Sequence, residues 1–74
     1  MKKDNVISIL SENMKELRMK ANITQEELSF RSGLHRNYIS DTERGTRNIS
    51  IKAVEKIAQG LEVPVEDLFV NKNK

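Results

Sequence analysis

The chain has 74 residues, a formal net charge of +2 and no cysteine. Such a length is near the lower limit for a self-sufficient hydrophobic core, so we predict one domain over residues 1–74, with oligomerisation as an added source of stability. The lack of cysteine excludes disulfides and zinc-finger spacing. Because apolar runs are short and no signal-like stretch follows the N-terminal lysines, we expect no membrane partner and a cytoplasmic, nucleoid-associated protein.

The first predicted helix spans about Asp4 to Lys20. Its apolar residues recur at intervals of three and four, which predicts one face packed against a core. These residues are Val6, Leu10, Met14 and Leu17. We expect the side chains of Met14 and Met19 to fill the core rather than to contribute to a cofactor site.

A second helix is predicted to begin at Thr24, a favoured N-cap residue. Glu27 is placed to close a capping box by reaching back to the backbone of Thr24, and Ile23 and Leu28 occupy the positions of a hydrophobic staple. Gly33 provides the left-handed backbone conformation that ends the helix.

A third helix, Arg36–Arg44, follows this glycine and ends before Gly45. Leu34 is expected to point inward, and His35 occupies the cap position. Helices this short are unstable alone and must pack against a larger core. Two short helices joined by a tight glycine turn predict a helix-turn-helix, a motif whose second helix enters the major groove of DNA.

The rest of the chain predicts two more helices. Ser50 caps a fourth helix with Gly60 near its end, and Pro64 suits the first position of a fifth helix because its missing N–H costs nothing there. Their apolar positions at helical spacing are Ile51, Val54, Ile57, Ala58 and Leu61 in the fourth helix and Val65, Leu68 and Phe69 in the fifth. Since no segment has strand-like alternation, we predict an all-α domain of five helices with the helix-turn-helix at the second and third.

Net charge alone does not indicate nucleic-acid binding. Residues 21–48 contain four arginines and four acidic residues and are therefore neutral. Position is more informative, because Arg36, Arg44 and Arg47 lie on or just after the third predicted helix. Any positive patch is therefore local.

No catalytic constellation is evident, so we expect no enzyme activity, no cofactor, no metal site and no small-molecule substrate. Glu26 and Glu27 diverge by about 100° on a helix, and capping explains Glu27. His35 is the single histidine of a chain without cysteine, so a cap or surface role is expected for it rather than a ligand role.

Over about residues 8–70 the chain resembles the helix-turn-helix family of lambdoid phage repressors and Cro, often called the xenobiotic-response-element type. Within that family it is most similar to controller proteins of restriction-modification systems, on the basis of Phe30, the string Arg36–Ser40 and the string Arg44–Ser50. The resemblance implies a five-helix, lambda-repressor-like fold, a symmetric homodimer and transcriptional control through an operator in double-stranded DNA.

The resemblance also implies roles for individual side chains. It places base contacts at Arg36, Asn37 and Ser40, and the chemistry fits, because Arg matches guanine and Asn matches adenine in the major groove. The alternative for these residues is an ordinary solvated role.

The resemblance also implies contacts with the DNA backbone. For Gln25 it implies a phosphate contact, assisted by the dipole and free N–H groups of the second helix. Further contacts to the DNA backbone are implied for Tyr38, Thr46, Arg47 and Asn48.

The family has an ion pair near its core that Arg18 and Glu43 match, with Arg18 also a candidate for a phosphate contact. Two residues depart from the family pattern. Thr42 stands where an apolar residue is usual, so the core there is either weaker or holds a hydrogen-bonded hydroxyl. Asp41 stands where some relatives read a base; it either accepts a hydrogen bond from cytosine N4 or points to solvent.

The C-terminal region has more apolar residues than one small core needs, and family members pair through this region. The resemblance therefore implies a dimer interface at Ile51, Val63, Val65, Phe69 and Val70. Phe69 is the member of this set most expected to be interior. A two-fold dimer holds its two recognition helices ~34 Å, or ~10 base pairs, apart on a palindromic operator.

These observations predict a sequence-specific, DNA-binding transcriptional regulator of the restriction-modification controller group. The alternatives are a generic phage-type repressor and a protein-interaction module such as an antitoxin-like helix-turn-helix protein. The interaction module needs an exposed apolar surface in addition to the dimer surface.

Overall fold

The computed structural model describes residues 5–71 and contains four α-helices and a short 3-10 helix in this range. These elements are α1 (Val6–Lys20), α2 (Gln25–Ser32), α3 (Arg36–Arg44), α4 (Ile51–Leu61) and the C-terminal 3-10 helix (Val65–Phe69). The all-α prediction is confirmed, and residues 5–71 contain no β-strand. Asp4, the predicted start of the first helix, and the tail at 72–74 lie outside the described residues.

The predicted fifth helix is present as a short 3-10 helix, so the count of five helices is slightly off. Pro64 has an extended backbone (φ −69°, ψ 151°) and precedes the first helical residue, Val65, rather than being that residue itself. The 3-10 helix has five residues, and a segment this short does not repay the cost of nucleating an α-helix. The C-terminal element is therefore held by its contacts with the rest of the molecule.

Each α-helix begins at a side chain that accepts a hydrogen bond from a backbone N–H of the first turn, which satisfies one of the free donors there. The four caps are Asn5, Thr24, His35 and Ser50. Half of the predicted capping box is present. Thr24 Oγ1 accepts from the N–H of Glu27 at 3.0 Å, but the Glu27 carboxylate pairs with Arg31 Nε at 3.1 Å instead of the backbone of Thr24.

Two glycines make the turns that separate the helices. Gly33 (φ 76°) ends α2 and Gly45 (φ 75°) ends α3, both in the left-handed region that glycine enters without steric cost. Gly60 has a different role: it is the buried, penultimate residue of α4, and Glu62 (φ 61°) rather than a glycine has the left-handed conformation at the end of this helix. A Cβ atom on Gly60 would lie 3.0 Å from Leu28 Cδ1 and 3.3 Å from the backbone N of Ser32, so Gly60 permits the close approach of α4 to α2.

The core forms where α1, α2, α4 and the 3-10 helix meet, with α3 packed against α1 and α2. Its buried apolar residues are Leu10, Met14, Leu28, Ile39, Val54, Ile57, Ala58, Leu61 and Leu68. Leu17, Ile23 and Leu34 pack against this cluster from its edge.

Val6 and Met19, both predicted to lie in the core, are exposed, and so is Ile51, which was predicted in the dimer interface. On α1 the inward stripe uses the half-buried Ile7 rather than Val6, which is 60% exposed. Met19 is exposed as well. It follows the buried Met14 by five residues, so its side chain points about 140° away from that of Met14 around the helix axis. On α4 the buried stripe begins at Ala53 and Val54, which leaves Ile51 in the exposed first turn.

Two buried polar side chains are hydrogen-bonded. Thr42 Oγ1 donates to the carbonyl oxygen of Tyr38 at 2.7 Å, so the hydroxyl at this usually apolar position is satisfied. Asn13 Nδ2 donates to the carbonyl oxygens of Leu68 (3.0 Å) and Val70 (2.8 Å). Asn13 thereby fastens the C-terminal segment to the middle of α1.

Candidate nucleic-acid interface

The first turn of α3 presents two exposed polar side chains. Arg36 and Asn37 follow the Gly33 turn directly and are both exposed. His35 caps this turn, because its Nδ1 accepts from the backbone N–H of Asn37 at 3.0 Å, so the helix begins at Arg36. Within residues 5–71 neither side chain makes a hydrogen bond or an ion pair, so both are available to an external ligand.

The next turn of the same face is occupied by internal contacts. Ser40 Oγ accepts from Arg44 Nη1 at 3.1 Å. Asp41 forms ion pairs with both Arg44 and Arg47, the latter at 3.2 Å between Oδ2 and Nη2. Ser40 is therefore half-buried beneath an arginine, and Asp41 is neither free nor directed at open solvent.

Tyr38 and Arg47 stack against each other. The guanidinium carbon of Arg47 lies 4.5 Å from the centre of the half-buried Tyr38 ring, a cation–π distance. Arg47 lies in the loop after α3, so this contact holds that loop against α3. It holds a cation beside the face on which Arg36 and Asn37 lie.

The start of α2 is joined to α3 through Glu43. Gln25 Nε2 donates to Glu43 Oε1 at 3.0 Å, and Arg18 Nε donates to Glu43 Oε2 at 2.7 Å. Arg18 also donates to the carbonyl oxygen of Ile23 at 2.8 Å. The amide of Gln25 keeps its second N–H for an anion at the N-terminus of α2, whereas most of Arg18 is enclosed.

Thr46 and Asn48 lie in the exposed loop between α3 and α4. Thr46 Oγ1 donates its hydrogen to the carbonyl oxygen of Asp41 at 3.1 Å, so this hydroxyl must rotate before it can donate to a phosphate. Asn48 is exposed and carries no such internal contact within the described range.

Three exposed apolar residues lie around the C-terminal end of the chain. They are Ile51 (85% exposed), Val65 (41%) and Val70 (50%), and we refer to them as the C-terminal apolar surface. Val63 and Phe69, also predicted in the dimer interface, are half-buried and pack against the core. Open grooves of roughly 260 Å³ and 500 Å³ border Ile51 and Phe69.

Two further properties of residues 5–71 bear on function. None of their helices combines the length and apolarity that a bilayer crossing requires. The His, Asp and Glu side chains in this range do not gather into a group of three or more able to hold a metal ion.

Two side-chain contacts were not predicted from the sequence. Asn13 was not singled out, although it falls on the same face of α1 as Leu10, Met14 and Leu17, where a polar residue signals a buried hydrogen bond. The pairing of Asp41 with Arg47 was missed as well. Arg47 is in a loop, and loop positions have no helical periodicity from which such a contact could be read.

Comparison with known proteins agrees with this geometry. The helix-turn-helix family model HTH_3 matches residues 14–68. The control protein C.BamHI of Bacillus amyloliquefaciens is 44% identical over 67 residues, which cover 89% of this chain and 83% of that protein. The control protein C.SmaI of Serratia marcescens is 37% identical over 65 residues, which cover 88% of this chain and 77% of that protein.

Two solved structures extend the likeness to three dimensions. The restriction-modification controller protein C.AhdI from Aeromonas hydrophila superposes with a TM-score of 0.83 at 36% identity, covering 85% of this chain and 96% of that one. The controller protein C.Esp1396I, solved as a tetramer with its natural 35-base-pair operator, gives 0.83 at 40% identity, covering 90% of this chain and 88% of that one. The chain therefore belongs to the HTH_3 helix-turn-helix family, in the group of restriction-modification controller proteins.

Proposed function

We propose that this chain is a sequence-specific transcriptional regulator, the controller protein of a restriction-modification system, and that it binds a palindromic operator as a homodimer. Its relatives C.BamHI and C.SmaI are control proteins, and C.Esp1396I occupies its operator as a tetramer. The observation that carries the proposal for this chain is the free, exposed pair Arg36 and Asn37 at the first turn of α3.

In this proposal Arg36 and Asn37 read bases in the major groove. An arginine matches the O6 and N7 atoms of guanine, and an asparagine matches the N6 and N7 atoms of adenine. Ser40, one turn further along, reads a base after its contact with Arg44 opens. The short α3 suits this task, because a helix of nine residues brings its first two turns into a groove while its end stays at the rim.

The surrounding residues position α3 on the DNA backbone. Gln25 offers its remaining amide hydrogen to a phosphate at the N-terminus of α2, where the helix dipole favours an anion. In our proposal, the DNA backbone is also contacted by four residues on α3 and in the loop after it: Tyr38, Thr46, Arg47 and Asn48. Such contacts set register without reading sequence.

The C-terminal apolar surface pairs two copies of the chain. Its three residues remain exposed while the adjacent Val63 and Phe69 complete the core, and burial of all three against a second copy removes apolar area from water. Two-fold pairing presents two copies of α3 to half-sites ~34 Å apart. This function places the protein in the cytoplasm, with the nucleoid DNA.

A protein-interaction module is less well supported. Such a module needs a second exposed apolar surface. The candidates are the separate side chains of Phe30 (84% exposed) on α2 and of Val6 (60%) and Met19 (61%) at the two ends of α1. Single exposed apolar residues are usual on soluble proteins and do not form a docking surface. We therefore prefer operator binding.

Selection of bound DNA from a random pool tests the proposed function. We expect an enriched palindrome with half-site centres ~10 base pairs apart, bound by a dimer in a gel-shift titration. Enrichment of no sequence, or equal affinity for the selected site and a shuffled version of it, would overturn the proposal.

A further inference from the structure

We propose that Asp41 restrains the affinity of this chain for DNA by holding Arg44 and Arg47 in the free protein, as an internal substitute for a phosphate group. This inference rests on the proposed DNA-binding function. The sequence suggested two roles for Asp41, a base contact or a solvated surface charge. The role proposed here differs from both.

The two oxygens of the Asp41 carboxylate have separate partners. Oδ1 is paired with Arg44 Nη2, and Oδ2 lies 3.2 Å from Arg47 Nη2. The Asp41 side chain is 28% exposed, whereas those of Arg44 and Arg47 are 61% and 41% exposed, so the acid lies beneath the two cations. One carboxylate thus pairs with two arginines, and it offsets one of their two positive charges.

Other contacts hold this arrangement in place. The backbone carbonyl of Asp41 accepts hydrogen bonds from both the N–H and the hydroxyl of Thr46, each at 3.1 Å, which fixes the loop that carries Arg47. The Tyr38 ring supports the guanidinium of Arg47 from the other side at 4.5 Å. Arg47 is therefore pre-positioned near the DNA backbone but is already paired with an anion.

The position of Asp41 on α3 makes this pairing relevant to DNA. Asp41 follows Asn37 by four residues, so both side chains lie on the same face of the helix. A phosphate that approaches Arg47 or Arg44 must displace the carboxylate. The released carboxylate then attracts a cation from solution, which offsets part of the counterion release that drives binding.

The Asp41→Asn variant tests the inference, measured as affinity for the selected operator and for a shuffled duplex at several salt concentrations. We expect tighter binding to both duplexes, by about twofold to tenfold at low salt, because exposed ion pairs of this kind are individually weak. We also expect the slope of log affinity against log salt to steepen by up to about 0.9, because asparagine takes up no cation when the arginines bind phosphate.

Two comparisons identify the cause of such a gain. Glu62→Gln changes the net charge by the same amount at the exposed end of α4, which packs chiefly against α2, so it controls for overall charge. Asp41→Asn in an Arg44→Ala/Arg47→Ala background has no arginine to release. We expect Glu62→Gln to bind as wild type and the gain from Asp41→Asn to vanish in that background.

Each other result overturns the inference. An equal gain in Glu62→Gln, or a gain that persists without the two arginines, would show simple repulsion of DNA. Weaker operator binding with an altered base preference would make Asp41 a base-reading residue. Unchanged affinity would show no restraint. Failure of the wild-type chain to bind any duplex would instead overturn the proposed function, which separates the two failures.

Discussion

Arg18 in α1 and Glu43 in α3 form a two-point ion pair, with distances of 2.7 Å from Nε to Oε2 and 3.2 Å from Nη2 to Oε1. The Glu43 side chain is 3% exposed and that of Arg18 is 13% exposed. This pair, with Gln25 as a third member, connects the recognition helix to the long first helix. It therefore holds α3, the helix that carries Arg36 and Asn37, against α1 and the start of α2.

We expect Arg18→Met to destabilise the domain strongly. The substitution leaves the buried Glu43 carboxylate with Gln25 as its remaining hydrogen-bond partner, and breaking a buried pair on one side costs about 3–5 kcal/mol. Urea denaturation followed by circular dichroism measures the loss. The double variant Arg18→Met/Glu43→Leu is the control, because it leaves no buried charge and should lose less. Equal losses in the two variants would contradict this account of the pair.

Asn13→Ala should loosen the C-terminal segment. The change removes the donor of two hydrogen bonds, to the carbonyl oxygens of Leu68 and Val70. The buried Leu68 acceptor left unpaired costs about 1–3 kcal/mol, and the Val70 acceptor is only part-buried. Hydrogen exchange should increase along residues 65–70, together with a lower urea midpoint. The neighbouring exposed Glu12→Ala on the same helix should leave both measurements near wild type. Unchanged exchange in Asn13→Ala would show that the segment is held by packing alone.

Gly60→Ala should destabilise the domain despite the higher helix propensity of alanine. The added Cβ meets Leu28 Cδ1 at 3.0 Å and the backbone N of Ser32 at 3.3 Å, and Leu28 is fully buried and has no room to move. Overpacking of this kind costs about 1–3 kcal/mol, against a gain of up to about 1 kcal/mol from propensity. The exposed Gln59→Ala serves as the control for propensity in thermal denaturation. A higher melting temperature for Gly60→Ala than for wild type would refute the close-approach argument.

Arg36→Ala should weaken binding to the selected operator by ~1–3 kcal/mol and relax the preference at one base position. The reason is the loss of a bidentate contact with guanine, for which the side chain is free in the unbound protein. Arg47→Ala is the comparison. It should weaken all duplexes by similar factors and make the salt dependence less steep, since a phosphate contact carries no sequence information. Wild-type specificity in Arg36→Ala would remove this residue from the base-reading set.

Ile51→Glu should weaken the dimer. A charge placed in the C-terminal apolar surface must be desolvated on pairing, and a loss of about 1.4–2.8 kcal/mol corresponds to a tenfold to hundredfold higher dissociation constant. Sedimentation equilibrium over a range of concentrations measures it. Phe30→Glu is a matched control, because Phe30 on α2 is as exposed as Ile51 (84% against 85%). Dissociation by Phe30→Glu with no effect of Ile51→Glu would move the interface to α2.

Local chemistry accounts for the features that were predicted correctly from sequence. The caps at Thr24, His35 and Ser50 and the glycine turns at Gly33 and Gly45 depend on residues within one turn of each other. The bounds predicted for the third helix, Arg36–Arg44, are those of α3 for the same reason. A short polar cap and a left-handed glycine need no distant partner, so the helix-turn-helix follows from its own residues.

Distant contacts account for the differences between prediction and structure. Glu27 matches the capping pattern, but its carboxylate pairs with Arg31. The guanidinium of Arg31, one turn away, competes with the backbone N–H of Thr24 for this carboxylate, and the guanidinium is charged. Periodicity placed Val6 on the core face of α1, yet this residue lies in the first turn of the helix and is 60% exposed. Pro64 and the residues after it were too few to form an α-helix.

The sequence by itself determined the helical class, the turn that separates α2 from α3 and the family, since these depend on short-range backbone preferences and on strings of adjacent residues. The tertiary structure alone decided that Asp41 faces Arg47, that Asn13 holds the C-terminal segment and that Gly60 lies against Leu28. Contacts of this second kind join residues that are far apart in the chain or in irregular segments. Their existence depends on how whole helices pack, which no local pattern specifies.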